Sequence, residues 1–341
     1  MLAGEMTLSS TPHPAPPARP RVIVTRRLPA EVEARMEELF DVRLNPDDAP
    51  MSREALAAAM RTCDVLVPAV TDSIDAELIE QAAPQLGMIA NFGSGTEHID
   101  VAAARKRGIL VTNTPSVFTD DTADLAMALI IFAMRGLGTG SAALAAGRWE
   151  GWSPTSMLGH SLMGKTLGLV GMGRIGQALA HRARAFGMTV RYNNRHPVPA
   201  SIENMVQATF EPDLDRLIGE ADVISLHCPV TPATRHLINA ERLAEMKPTA
   251  CLINTGRGAL IDEAALIKAL ETGQIGSAGL DVYDSEPDVN PALLRAPNLV
   301  ALPHLGSATH EGRTTAGHRI IANIRFWVDG HRPPDQVIPE I

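Results

Sequence analysis

From Arg21 to Thr112 short β-branched runs alternate with amphipathic stretches. Val22–Thr25, Asp64–Pro68, Met88–Asn91 and Ile109–Thr112 predict strands, and Ala30–Phe40, Arg53–Met60 and Asp75–Ala82 predict helices. Such alternation produces βαβ units and a mostly parallel sheet. A second series predicts six more strands, at Thr166–Val170, Thr189–Asn193, Asp222–His227, Ala250–Asn254, Ser277–Val282 and Leu299–Leu302. Helical segments separate most of them: Ile175–Phe186, Leu214–Glu220, Ala240–Met246 and Glu263–Thr272. Between the two series, Ser116–Arg135 reads as one long helix, acidic near its start and followed by Gly136 and Gly138. Its Leu125–Met134 portion is apolar on nearly every face, which predicts burial on all sides, between domains or against a second subunit. Gly306–Phe326 predicts a last helix, ahead of Gly330, Pro333 and Pro334.

At 341 residues the chain exceeds what one core usually serves, so two domains are expected. The net charge of −9 and 4% aromatic content exclude nucleic-acid binding through a global basic field. An anionic small molecule would need a locally positive site. Cys63, Cys228 and Cys251 lie in or beside apolar runs without metal-ligand spacing, which predicts buried thiols and no metal site. No apolar run reaches the roughly 18 residues of a membrane span. Residues 1–20 are Pro-rich and lack a basic start and an apolar core, so they read as a disordered tail rather than a signal peptide, and the expected location is cytoplasmic.

Candidate chemistry sits where the second series of strands ends. Gly171-Met172-Gly173-Arg174-Ile175-Gly176 lies between a strand and a helix. There Gly171 permits a tight turn, Gly173 lets backbone approach a pyrophosphate, and Gly176 allows close helix–strand packing. At the end of the next strand an NAD site usually offers a carboxylate to the ribose, but here Asn194 and Arg195 follow Asn193. That pair leans towards NADP, with Arg195 as a 2′-phosphate clamp; the alternative is a solvated loop arginine and an enzyme that accepts either cofactor. Arg257, between Gly256 and Gly258, has the planar fork that holds a carboxylate and polarises a carbonyl. Glu286 and His304 also follow strands. If they meet, the carboxylate orients the imidazole and favours its protonated form, making His304 a proton donor to a carbonyl. Asp281 ends a strand near the cofactor's carboxamide end, though turn capping explains it almost as well.

From about Val22 to Pro339 the chain resembles the D-isomer-specific 2-hydroxyacid dehydrogenases. The matching stretches are Gly93-Ser94-Gly95-Thr96-Glu97-His98-Ile99-Asp100, Gly164 to Gly176, Asn254-Thr255-Gly256-Arg257-Gly258, Gly279-Leu280-Asp281-Val282 and Pro303-His304-Leu305-Gly306-Ser307-Ala308-Thr309. The resemblance implies an α/β fold of two domains. A Rossmann dinucleotide-binding domain would span 113–303, and a smaller flavodoxin-like substrate domain would join 21–112 to 304–341, with the active-site cleft between them. It implies Arg257 as substrate binder, Glu286 as partner of His304, and backbone amides near Ser94 and Gly95 on the substrate carboxylate. Cofactor contacts would fall on Arg174, Ile175, Arg195, Cys228, Thr255 and Asp281.

Arg148-Trp149-Glu150-Gly151-Trp152-Ser153-Pro154 is most similar to glyoxylate/hydroxypyruvate reductases, which implies a homodimer with Trp152 reaching the partner's substrate site. Gly256 stands where relatives commonly carry Ala or Ser, and Asn194 replaces the acidic residue of NAD-preferring members. The implied activity is reversible reduction of a small 2-oxo acid, glyoxylate or hydroxypyruvate, with NADP preferred and NAD possible. A bulkier 2-oxo acid, or a cofactor-sensing corepressor on the same fold, are the alternatives.

Overall fold

The computed structural model describes residues 16–338. Most of the expected Pro-rich tail lies outside the described residues. Its last part does not read as a tail, because Arg19 Nη2 donates to the carbonyls of Glu37 and Phe40 at 3.0 and 3.1 Å and Pro20 accepts from Asp41 N–H. The described residues divide into two compact units, one made of those up to Phe118 and from Thr309 on, the other of Thr119–Ala308. These seams fall a few residues later than the expected 112/113 and 303/304, so His304 belongs to the second unit.

The first unit holds five parallel strands: β1 (Arg21–Val24), β2 (Asp41–Arg43), β3 (Val65–Val67), β4 (Met88–Ala90) and β5 (Leu110–Thr112), in the order β2-β1-β3-β4-β5. This is the flavodoxin-like order. Alternate residues point to opposite faces, and both faces are covered, which is why the strands read as continuous apolar runs. Val22, Val24, Val65, Val67, Met88 and Ala90 pack with helix Ala30–Leu39 and with Ile320, Ile321 and Ile324 of the last helix, His310–Val328. Ile23, Leu66, Ile89 and Val111 pack on the other side with helices Arg53–Met60 and Ala76–Glu80. The last helix thus returns to the first sheet. Its Gly317 touches Val32, where an added Cβ would fall 2.4 Å from the valine methyls. Past the helix, Arg319 and Asn323 bind the buried Asp335 carboxylate, and Val337 N–H pairs with Val111 O. This segment covers the otherwise open edge of β5.

The second unit holds β6 (Thr166–Val170), β7 (Thr189–Asn193), β8 (Ala208–Phe210), β9 (Val223–Leu226), β10 (Cys251–Asn254), β11 (Ser277–Leu280) and β12 (Leu299–Ala301), all parallel. Their order, β12-β11-β10-β9-β6-β7-β8, is the Rossmann order with a further strand. The pattern of apolar runs predicts six strands; β8 is a three-residue edge strand, too short to show a period. Chain order reverses between β6 and β9, and ligands of open α/β sheets bind at such a point, beyond the carboxyl ends of the strands.

Helix Thr119–Arg135 lies against β10, β11 and β12 and against helix Arg174–Ala185. It approaches β11 closely because Gly279 has no side chain, and a Cβ there would sit 3.2 Å from Leu129. The sequence predicts burial on all sides. Within one chain only one face is covered, and Phe132 is 43% exposed. A second helix, Leu137–Ala145, follows a left-handed Gly136 and was not legible, since Gly138 and Gly140 disfavour helix. Its residues are apolar or small, and none is buried. No single helix among the described residues is long and apolar enough to cross a membrane.

Candidate active site

The fingerprint glycines adopt the geometry that each position demands. Gly171 has φ +105° and lies against the His227–Cys228 peptide at the end of β9, where a Cβ would be 2.7 Å from His227 carbon. A Cβ on Gly176 would fall 2.2 Å from Gly171 O, so only glycine lets the helix start this close to the strand. Nothing lies within 4 Å of a Cβ built on Gly173, which caps the start of the helix. The first amides of the helix have no acceptor within it and suit a phosphate. Arg174 is exposed beside them and Ile175 is partly buried.

Asn194 Oδ1 accepts from Met172 N–H at 2.8 Å, tying the fingerprint turn to the end of β7. Because that bond fixes which end of the amide carries oxygen, the side chain has only its NH2 left to offer a ligand. An aspartate in this pose would keep a second oxygen to accept from a ribose hydroxyl. Arg195, the next residue, is exposed. Thr255, at the end of β10, has a buried hydroxyl with no partner among the described residues, and Cys228 is partly buried. A buried hydroxyl of this kind ordinarily has a partner. Gly173, Thr255 and the free helix amides fit a dinucleotide.

Beyond β10, Asn254 makes the turn that presents Arg257: its Oδ1 accepts from Gly256 N–H at 3.0 Å, and its Nδ2 donates to Arg257 O at 2.8 Å. Arg257 Nη1 donates to Gly256 O at 2.8 Å. Gly258 lies directly on the Tyr283–Asp284 peptide, where a Cβ would be 1.8 Å from the Tyr283 carbonyl carbon. That close approach brings the arginine turn against the loop that carries Glu286.

Glu286 Oε1 accepts from Tyr283 N–H at 2.9 Å, and Oε2 meets His304 Nδ1 at 2.6 Å. Burial pushes the Glu286 carboxyl up, but the His304 and Tyr283 hydrogen bonds and the charges of His304 and Arg257 outweigh it and hold the group below its ordinary value. Glu286 is therefore an anion at neutral pH. An ionised carboxylate only accepts, so Nδ1 must carry the hydrogen, and Nε2 is the nitrogen left for a substrate proton. Asp281, at the end of β11, is buried, and both its oxygens accept backbone N–H groups, from Leu305 and Gly306. Burial pushes its carboxyl up against the opposing effect of those bonds. His227 bonds Ser225 Oγ through Nε2 at 2.8 Å, and burial lowers its pKa to about 4, which keeps it neutral.

In the first unit, the turn at Ser94 and Gly95 has its carbonyls facing inward. Asn91 Nδ2 donates to Gly93 O and Gly95 O at 3.1 and 2.8 Å, and Asn113 Nδ2 donates to Ser94 O at 2.7 Å. His98 Nε2 lies 2.9 Å from Asn91 Oδ1 and fixes that amide's orientation. With the carbonyls engaged, the Ser94 and Gly95 amides have no acceptor among the described residues. Asn91, Asn113 and Tyr283 shape these turns, yet no sequence signal marks them, because their partners are backbone atoms. Trp152 is 83% exposed.

Residues 127–306 match the D-isomer specific 2-hydroxyacid dehydrogenase, NAD binding domain family. A glyoxylate reductase of Thermococcus litoralis is 44% identical over 327 residues, 95% of this chain and 98% of the relative. A D-isomer specific 2-hydroxyacid dehydrogenase structure from Polaromonas superposes with a TM-score of 0.89 at 36% identity, covering 94% of this chain and all (100%) of that one. An NADPH-dependent glyoxylate/hydroxypyruvate reductase from Sinorhizobium meliloti, solved with NADP and malonate, gives 0.83 at 36% identity, covering 94% of this chain and 97% of that chain. The chain belongs to the D-isomer specific 2-hydroxyacid dehydrogenase family. It is an oxidoreductase that interconverts 2-oxo and D-2-hydroxy acids with a nicotinamide dinucleotide.

Replacing Gly258 by alanine should drive the Arg257 turn away from the Tyr283 peptide and so from Glu286. Steady-state kinetics should show kcat/KM reduced by about 100-fold, as misplacement by an ångström does; a variant within threefold of wild type contradicts the close-approach account.

Proposed function

We propose that this protein reduces glyoxylate and hydroxypyruvate to the D-2-hydroxy acids, with NADPH preferred over NADH. The observation that carries the reading is the His304–Glu286 bond beside Arg257, which leaves Nε2 as a proton donor next to a carboxylate-binding cation. When bound, the reduced nicotinamide supplies a hydride to C2 of the substrate. Arg257 holds the 2-oxo acid and polarises its carbonyl, while the Ser94 and Gly95 amides hold its carboxylate. His304 Nε2–H gives its proton to the developing alkoxide, and Glu286 stabilises the imidazolium before transfer and fixes its tautomer. In the reverse direction His304 takes the hydroxyl proton. The small relatives' substrates named above support this size class.

The NADPH preference rests on donors at the end of β7. Asn194 presents NH2, Arg195 presents a guanidinium, and no carboxylate stands in the Asn193–His196 run to repel a 2′-phosphate. Gly171, Gly173, Arg174, Ile175, Gly176, Cys228 and Thr255 complete the cofactor contacts in this reading. Initial rates with NADPH and NADH, on glyoxylate and on hydroxypyruvate, test it together with Arg195→Ala and His304→Ala. Expected are a higher kcat/KM with NADPH, a loss of that preference by about tenfold or more in Arg195→Ala, as removal of a charge-assisted bond implies, and near-complete loss of turnover in His304→Ala. Cofactor binding without turnover on either substrate would leave a bulkier 2-oxo acid or a sensor role in its place.

The working form is a homodimer in the same reading. Helix Leu137–Ala145 has no buried residue although it is apolar, and it follows Thr119–Arg135, whose Phe132 is 43% exposed. Leu144 is 62% and Met163 77% exposed along the same stretch of chain as Trp152. Exposed apolar side chains of this number fit a second copy of the chain, which would also bring Trp152 to the partner's substrate site. Sedimentation equilibrium should give twice the 36.4 kDa chain mass. Leu144→Asp should give the single chain; a monomeric wild-type protein contradicts the proposal.

A further inference from the structure

The turn that carries His304 is held in a conformation that acid/base chemistry does not by itself require. His304 has φ +54°, in the left-handed region that a residue with a side chain occupies only when its surroundings impose it. Asp281 imposes it. Its main-chain oxygen accepts from His304 N–H at 3.0 Å, its Oδ1 from Leu305 N–H at 2.7 Å and its Oδ2 from Gly306 N–H at 2.8 Å. Successive amides converging on an anion around a left-handed residue make a nest, and here the anion belongs to the chain itself. From the other side, Thr122 Oγ1 of the long helix donates to Gly306 O at 3.0 Å. Asp281 and Thr122 are both buried. Gly306 sits between them: a Cβ there would be 3.2 Å from Asp281 Oδ2 and 3.5 Å from Thr122 Oγ1.

We propose that Asp281 and Thr122 are positioning residues for the reaction, which lock the 304–306 turn so that His304 stays left-handed, with Nδ1 on Glu286 and Nε2 on the substrate. The inference rests on His304 as the acid/base. Without the lock, φ of His304 relaxes towards the ordinary negative region, and rotation about this backbone bond swings the imidazole off Glu286. Asp281 then acts on the proton-transfer step rather than only on cofactor binding, and a residue of a helix remote in sequence takes part in setting the catalytic geometry.

Asp281→Asn, Thr122→Val and Thr122→Ser test this beside His304→Ala, with kcat, KM for glyoxylate, NADPH Kd by fluorescence titration and thermal melting for each. Asparagine at 281 sets an NH2 against a backbone N–H, so kcat at saturating NADPH should fall by about 100-fold, well beyond any change in NADPH Kd. Thr122→Val keeps the shape without the donor and should lower kcat by about tenfold; Thr122→Ser restores the donor and should restore kcat. A kcat for Asp281→Asn within threefold of wild type, or a defect carried wholly by weaker NADPH binding, overturns the proposal. Should Asp281→Asn fail to fold, the Thr122 pair decides: equal kcat in the valine and serine variants overturns it. Full turnover in His304→Ala would instead remove the acid/base reading on which the proposal stands.

Discussion

The bond between Glu286 and His304 is the interaction on which the site depends, because an imidazole directs a proton only when its tautomer and orientation are set. A carboxylate can do this if it is itself ionised and held. Glu286 satisfies both conditions: Tyr283 N–H fixes one oxygen, and the hydrogen bonds of His304 and Tyr283, with the charges of His304 and Arg257, outweigh the cost of partial burial. The arrangement requires two loops at the ends of β10 and β11 to touch. Backbone packs on backbone there, at Gly258 and Tyr283, which is why the residue after Arg257 has no side chain. The Arg257 turn and the His304 imidazole thereby belong to the same unit of the fold.

The dinucleotide end of the site follows the same logic of close approach. Gly171 rests on the end of β9, Gly176 rests on Gly171, and the helix amides are left unoccupied beside Gly173. One side-chain bond, from Met172 N–H to Asn194 Oδ1, ties the fingerprint turn to the end of β7 and leaves the Asn194 NH2 as its remaining polar end. An acceptor at this place would serve a hydroxyl, and a donor serves a phosphate. In the proposed reading the same residue links the shape of the turn to the choice of cofactor.

Much of the fold was legible in the sequence because buried parallel strands show as continuous apolar runs, and most helices between them show periodicity. The short edge strands β2 and β8 were not, since three residues carry no period. Nor was the helix Leu137–Ala145, where glycines interrupt an apolar stretch and no face is buried to give it an amphipathic pattern. Within the site, Arg257, Glu286 and His304 stood out because charged residues after buried strands are conspicuous. Thr122 did not: its partner, Gly306 O, lies 184 residues away, and a threonine early in a helix reads as an ordinary cap. Asn91 and Asn113 were equally silent, being uncharged residues that bind backbone carbonyls of a loop.

The most direct test of the central claim is the single-turnover rate of NADPH oxidation with glyoxylate in Glu286→Gln at neutral pH. Glutamine keeps a hydrogen-bonding oxygen of similar reach but removes the charge that stabilises the imidazolium. The account predicts a rate reduced by about 100-fold, within the range general acid–base catalysis contributes, with NADPH affinity unchanged. A rate within threefold of wild type would contradict it, since His304 would then work without the anion that the structure places on its Nδ1 side.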